Sequence, residues 1–269
     1  LKKNEKYMSV KSEFTKKGWS KFCFDKNIFN WTKAVIPTCK KIEKNKEHIQ
    51  DWMRCGDTWF VGVNILDNDQ QGRVSDGPIL SGEIIKFIKK EILPGVNWDR
   101  GQLSIMYKGY PKITSGETVA SFKFRLNRDA AHIDGLLPIG PDRHRMLREP
   151  HAFVLGVPLN VTDQNASPMV VWEESNIIIR EYFINLLSKY DVDEWGRTDL
   201  TQCYQEARRI CFEKCERVIV HAVPGEAYLV HRLTLHGVAP WTAKHSVAGE
   251  GRMICYFRPP LKDVSQWLM

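Results

Sequence analysis

Ala130-Ala131-His132-Ile133-Asp134-Gly135, near the middle of the 269-residue chain, sets a histidine and an aspartate two positions apart. Side chains alternate along a β-strand, so on a strand this pair projects from one face. The run just upstream, Thr118-Val119-Ala120-Ser121-Phe122-Lys123-Phe124-Arg125-Leu126, alternates polar and apolar residues and predicts a strand leading into it. One neutral imidazole and one carboxylate on a shared face are two of the three ligands of the facial triad that holds Fe(II) in non-haem oxygenases. A His-x-Asp pair also occurs as an ordinary surface or turn pair, so the reading needs a third ligand.

That ligand must come from far along the chain, and Val230-His231-Arg232-Leu233-Thr234-Leu235-His236-Gly237-Val238-Ala239-Pro240-Trp241 offers two. His231 and His236 are five apart and would point to opposite faces of a regular strand. Gly237 and Pro240 follow His236 and place it where a strand runs into a loop, so His236 is the expected ligand. Further on, Gly251-Arg252-Met253-Ile254-Cys255-Tyr256-Phe257-Arg258-Pro259 reads as a buried strand opened by an arginine. A charge on such a strand requires an anionic partner, because an unpaired buried charge is costly. A dicarboxylate gripped by the guanidinium fork of Arg252 is one such partner, with Arg258 as the alternative.

His132-x-Asp134, a long interval, His236, then Arg252 at the head of the last core strand resembles the Fe(II)/2-oxoglutarate-dependent oxygenases, and within them the phytanoyl-CoA dioxygenase-like branch. A second block adds to the resemblance. It runs from Glu149-Pro150-His151-Ala152-Phe153-Val154-Leu155-Gly156-Val157-Pro158 to Ser167-Pro168-Met169-Val170-Val171-Trp172-Glu173-Glu174-Ser175-Asn176, in which Trp172 to Asn176 stand where that branch has a turn of different residues. The resemblance covers roughly residues 100–260. It implies a mainly β chain with flanking helices, built on a double-stranded β-helix, the cupin-like jelly-roll barrel. It also implies His132, Asp134 and His236 as iron ligands, with 2-oxoglutarate and O2 as co-substrates and Arg252 on the distal carboxylate. Tyr107 and Thr234 are further expected contacts of 2-oxoglutarate. Succinate and carbon dioxide are the implied by-products. The carboxylate Asp134 implies hydroxylation, or a related oxidation, over halogenation.

Residues 1–269 are expected to form a single oxygenase domain. Residues 1–100 would be a helix-rich support, and 101–260 the β-helix core with a helical insert at about 176–217. Within the support, 82–93 carries Ile84, Ile85, Phe87, Ile88 and Ile92 at helical spacing before Pro94, and 32–51 reads as helix broken at Pro37. Leu103-Ser104-Ile105-Met106-Tyr107 is expected as the first core strand. Asp67-Asn68-Asp69-Gln70-Gln71-Gly72 lacks the spacing and closing glutamate of a calcium loop and reads as a turn. Pro141-Asp142-Arg143-His144-Arg145-Met146-Leu147-Arg148 follows the metal-binding segment. Its Arg143, Arg145 and Arg148 are expected either to recognise an anionic small-molecule substrate or to form a solvated loop.

Composition bounds the rest. Hydrophobic residues make up 43% of the chain, and no run reaches the roughly 18 apolar residues of a membrane span, so no membrane contact is expected. No secretory signal is visible at the first residues, and the seven cysteines are odd in number without Cys-x-x-Cys spacing. Together these predict free thiols in a cytoplasmic protein. The three Asn-x-Ser/Thr matches, at Asn30, Asn160 and Asn165, are then chance. Net charge is +7, with lysines crowding the first fifty residues while arginine is absent there until Arg54. That pattern reads as solvated lysine-rich helices, and nucleic acid is not the expected partner. Two other readings stay open: a cupin-like metalloenzyme that does not use 2-oxoglutarate, and a non-catalytic binding protein with a basic N-terminal face.

Overall fold

Two stretches, Phe153–Pro158 and Arg252–Phe257, are buried at every position, the mark of strands covered on both faces. They lie side by side at the centre of the molecule. The computed structural model describes residues 2–244 and 250–269, with side chains from residue 7 onward. The described strands are β1 (Trp19–Phe22), β2 (Met53–Arg54), β3 (Trp59–Gly62), β4 (Gln102–Met106), β5 (Leu136–Ile139), β6 (His144–Leu147), β7 (Phe153–Pro158), β8 (Met169–Trp172), β9 (Arg217–Val220), β10 (Ala227–His231), β11 (His236–Val238) and β12 (Arg252–Phe257).

A large antiparallel sheet runs β1-β10-β7-β12-β4-β3-β2, a small one runs β11-β8-β9, and β5-β6 form a ribbon. His132 joins the small sheet through an antiparallel bridge to His236. Each residue donates its N–H to the other's carbonyl, at 2.8 and 2.9 Å. In chain order the core strands are then β4, the His132 segment, β7, β8, β9, β10, β11 and β12. The first pairs with the eighth, the second with the seventh, the third with the sixth and the fourth with the fifth. This nesting arises when one long antiparallel hairpin is wound into two facing sheets, and it defines the jelly-roll, or double-stranded β-helix. β12 also pairs with β7, and β11 with β8, which completes each group of four. The sheets face each other and do not close into one hydrogen-bonded barrel.

Alternation sorts the side chains. Ile254 and Tyr256 turn inward and meet Val154, Met169, Val171, Tyr228 and Val230 between the sheets. Met253, Cys255 and Phe257 turn outward with Leu103, Ile105, Phe153 and Leu155 onto Trp31, Val35 and Phe87 of the N-terminal helices. Each fully buried large side chain of this layer contributes about 1.5–3 kcal/mol. Gly156 is where the inner face is tightest, since a methyl group there would run into the ring of Tyr228. Outside the small sheet, Val170 and Trp172 pack on Ile179, Phe183, Tyr204 and Cys211. These come from helices Ser175–Leu187 and Thr201–Lys214, which stand where helices were expected between the halves of the site.

Three local expectations meet different outcomes. Residues 83–92 are helical as read, as an α-helix Glu83–Phe87 continued by a π-helical turn Ile88–Ile92. The alternating run 118–126 is not a strand; it forms a helix, Val119–Asn127, whose Thr118 side chain accepts the Ser121 N–H. None of its residues is buried, and Phe124 rests on Phe212 at 6.3 Å between centroids. A good N-cap decides the conformation where no neighbouring strand offers a ladder. Pro37 does not break its helix either: Lys26–Lys44 is continuous, capped by Asp25, with Ile28, Trp31, Thr32, Val35 and Cys39 buried along one face. Burial of that stripe outweighs the one backbone bond a proline removes. No described helix is long and apolar enough to cross a membrane.

Candidate metal centre

The bridge between His132 and His236 fixes two backbones at hydrogen-bond distance and stacks their imidazoles 4.8 Å apart, inclined by 49°. Asp134 follows two residues after His132 and turns its Oδ1 toward both rings, 3.4 Å from the His132 Nε2 and 3.9 Å from the His236 Nε2. The three potential ligand atoms lie within 4.8 Å of one another, the only such His/Cys/Asp/Glu cluster among the described residues. His236 is 4% exposed, whereas the His132 side chain is 48% exposed, so the group opens outward on the His132 side.

Both imidazoles are oriented by their other nitrogen. The His132 Nδ1 lies 3.0 Å from the Ala130 carbonyl and the His236 Nδ1 2.8 Å from the Thr234 carbonyl. A carbonyl oxygen can only accept, so each Nδ1 donates its proton there and each Nε2 is the ring nitrogen left facing Asp134. Burial pushes the His236 imidazole down to about 4, despite the nearby Asp134 charge, and so holds it neutral. Burial also works against charge at His132, but its hydrogen bond and charge interaction with Asp134 leave it raised. Asp134 would be raised by burial alone; the His132 hydrogen bond and the Arg258 charge hold it well below the usual carboxylate range. Arg258 approaches the other carboxylate oxygen, Oδ2, at 3.6 Å, which leaves Oδ1 to the imidazoles. Asp99 in turn accepts the Arg258 backbone N–H at 3.0 Å.

This donor set fits a first-row divalent ion. Three ligands on one octahedral face at about 2.1 Å from the metal stand about 3 Å from each other. The observed separations, 3.4 and 3.9 Å from Asp134 and none beyond 4.8 Å, are wider, so the three side chains would draw together around an ion. A cavity of about 160 Å³ opens beside the triad, walled by Trp59, Val61, Tyr110, Met169, Val238 and Tyr256.

The other expected residues divide. Arg252 heads β12 and is 5% exposed, on the inward face shared with Ile254 and Tyr256. Its Nε and Nη2 have no hydrogen-bond partner, and among the described residues no carboxylate pairs with it. Arg252 is not among the residues lining the cavity beside the triad, whereas Arg258 is. The structure does not bring Tyr107 to the site: its hydroxyl donates to Glu43 at 3.1 Å on the helical side of the large sheet. Thr234 likewise turns away, its hydroxyl donating to the Gly18 carbonyl at 2.7 Å. Arg143, Arg145 and Arg148 lie on or just after the β5–β6 ribbon and do not line the cavity. His231 is not a ligand; its Nδ1 accepts the Leu233 N–H, and burial pushes it down to about 3. His144 pairs with Asp199 at 2.7 Å and His151 lies 3.4 Å from Glu149. Gln102 and Ser104 of β4 line the cavity and had not been singled out from the sequence, although they alternate with the outward-facing Leu103 and Ile105.

No family model matches the sequence, and no curated protein matches it. Among solved structures the chain is similar to EvdMO1, with a TM-score of 0.49 and 12% identity over 95% of this chain, which spans half the length of that one. It is also similar to the non-haem α-ketoglutarate-dependent carbocyclase SnoK from nogalamycin biosynthesis, with a TM-score of 0.48 and 14% identity over 97% of this chain and 90% of that one. A third is EctD from S. alaskensis with bound Fe, with a TM-score of 0.43 and 10% identity over 93% of this chain and 74% of that one.

Proposed function

We propose that this protein is a non-haem Fe(II)- and 2-oxoglutarate-dependent oxygenase that hydroxylates a small molecule. The observation that carries the reading is the convergence of two imidazoles and one Asp134 oxygen beside a cavity, in a jelly-roll whose interior also holds an arginine without a carboxylate partner among the described residues. When bound, the iron together with 2-oxoglutarate and O2 supplies the oxidising chemistry, and 2-oxoglutarate leaves as succinate and carbon dioxide. His132, Asp134 and His236 would hold the ion. Arg252 supplies the cation for the distal carboxylate of 2-oxoglutarate. Arg258 keeps Asp134 ionised and turned so that one oxygen serves as ligand. Trp59 and Tyr110 offer aromatic surface to the substrate. The ribbon arginines lie away from that wall, so this reading assigns them no substrate contact. The cysteines are free thiols, as a reducing compartment requires, and we place the protein in the cytoplasm on that reading.

The test is an anaerobic titration with Fe(II), then 2-oxoglutarate, followed by visible absorption. A metal-to-ligand charge-transfer band should appear only with both, and should be lost in His132→Ala and Asp134→Ala. Tight metal binding without that band would move the assignment to a metalloenzyme that does not use 2-oxoglutarate. Absence of metal binding would refute the enzyme.

A further inference from the structure

We propose that the ion pair between Asp129 and Arg217 is a positioning device for this site: it pins a β-bulge that turns the Ala130 carbonyl onto the Nδ1 of His132. The inference rests on the reading of His132 as a metal ligand.

The bulge is visible in the hydrogen bonds. His132 and His236 exchange both backbone bonds, so the next such pair along a regular antiparallel ladder would join Ala130 to Val238. The Val238 N–H goes instead to the carbonyl of Asp129, at 2.8 Å. One extra residue is therefore accommodated on the His132 side. Asp129 and Ala130 both take φ = 53°, in the left-handed region that non-glycine residues rarely enter. The displaced Ala130 carbonyl no longer serves the ladder and lies 3.0 Å from the His132 Nδ1. Opposite the bulge stands Gly237, where a methyl group would run into the Asp129 carbonyl.

Two consecutive left-handed residues without glycine need something to hold them. The Asp129 carboxylate is 5% exposed and is gripped by both faces of a guanidinium fork. The Arg217 Nε donates at 2.7 Å to one oxygen, and Nη2 donates at 2.9 Å to the other. Arg217 belongs to β9, at the edge of the small sheet away from His132, and opposes Trp172 of β8. The pair thus ties the far edge of the sheet to the residue that sets where the metal-binding segment begins. Neither residue lines the cavity, so their action on the centre runs through the bulge.

The experiment measures Co(II) affinity of metal-free wild type, Arg217→Ala, Arg217→Lys, Asp129→Asn and His132→Ala, alongside imidazole 15N shifts. Loss of a group that orients a ligand weakens metal binding by about 10- to 100-fold. That loss is expected in Arg217→Ala and Asp129→Asn, with the double variant no weaker than the weaker single one. Arg217→Lys, which keeps the charge without the fork, should recover only part. In the metal-free variants the 15N signature of His132 should move from the Nδ1–H tautomer toward a mixture, while His231 stays unchanged. Wild-type Co(II) affinity in Asp129→Asn and Arg217→Lys, with an unmoved His132 tautomer, overturns the proposal, even where Arg217→Ala does not fold. Wild-type affinity in His132→Ala would instead remove the metal reading on which it rests.

Discussion

Replacing Arg252 by methionine should stabilise the ligand-free protein while destroying its affinity for 2-oxoglutarate. The guanidinium sits 5% exposed on the inner face of β12, with Nε and Nη2 unpartnered and no carboxylate beside it among the described residues. Its polar neighbour is Tyr228, whose hydroxyl keeps a second partner in Tyr256 at 3.0 Å. An unsatisfied buried donor costs about 1–3 kcal/mol, and exchanging buried charge for an apolar side chain of similar length gains about 1–4 kcal/mol. A gain of about 1–3 kcal/mol is worth roughly 2–12 °C in a domain of this size. With the dicarboxylate bound the sign reverses. Truncating one partner of a buried, hydrogen-bonded charge pair costs about 2–5 kcal/mol, which is roughly 30- to several-thousand-fold in Kd. Thermal melts with and without 2-oxoglutarate, and calorimetric titration of the Fe(II) or Co(II) form, read both halves. A lower melting temperature for ligand-free Arg252→Met would show that the protein itself neutralises the guanidinium. Unchanged 2-oxoglutarate affinity would move the anchor elsewhere, with Arg258 first in line.

Two further predictions concern stability. His231 has its imidazole pushed down to about 3 by burial and by Arg232 and Arg180, so the unfolded chain binds a proton that the folded one refuses. Its contribution to stability therefore falls as pH drops from about 6.5 toward 3, with a slope of at most about 1.4 kcal/mol per pH unit, lessened by its partial exposure. His231→Asn, which keeps an acceptor for the Leu233 N–H, should flatten that part of the urea-unfolding profile; an unchanged slope would place the titration on another group. Trp267 is fully buried and stacks on Phe183 at 5.2 Å and 20°. Trp267→Ala should cost about 3–5 kcal/mol, roughly 6–20 °C in melting temperature, and a shift under 2 °C would mean that this stack contributes little.

The parts of the molecule that were legible from sequence are those where one residue type admits few settings. His132, Asp134 and His236 meet as read, and the buried strand behind Arg252 is the one its apolar run describes. Orientation was harder, and strand parity explains why. Gln102 and Ser104 face the cavity while Leu103 and Ile105 face the helices, and Tyr107 follows the odd-numbered side. The same parity puts Arg252, Tyr256 and Arg258 on one face, so the Arg258 contact with Asp134 was within reach of that rule. Thr234 fails for another reason: its N–H closes a turn on the His231 carbonyl, so it precedes β11 and does not share that strand's alternation. The helix at Val119–Asn127 and the continuous helix through Pro37 were decided by a cap and by a buried stripe, against local signals that pointed the other way. The bulge at Asp129 and Ala130 leaves no mark in composition, because neither residue is glycine.

On the proposed metal assignment, the nested pairing of the core strands would make the centre a report on the whole chain. Its first two ligands precede its third by about a hundred residues, and the histidines are joined by the second-to-seventh pairing of the jelly-roll. Closing that loop costs chain entropy before the pairing rewards it, as in any non-local β topology. A nascent chain that has emerged only as far as β10 carries His132 and Asp134 but no third ligand, and holds a divalent ion no better than any exposed pair. On that assignment metal uptake would be a property of the completed fold, and the ion's binding energy would act on the equilibrium between the finished protein and everything less than it.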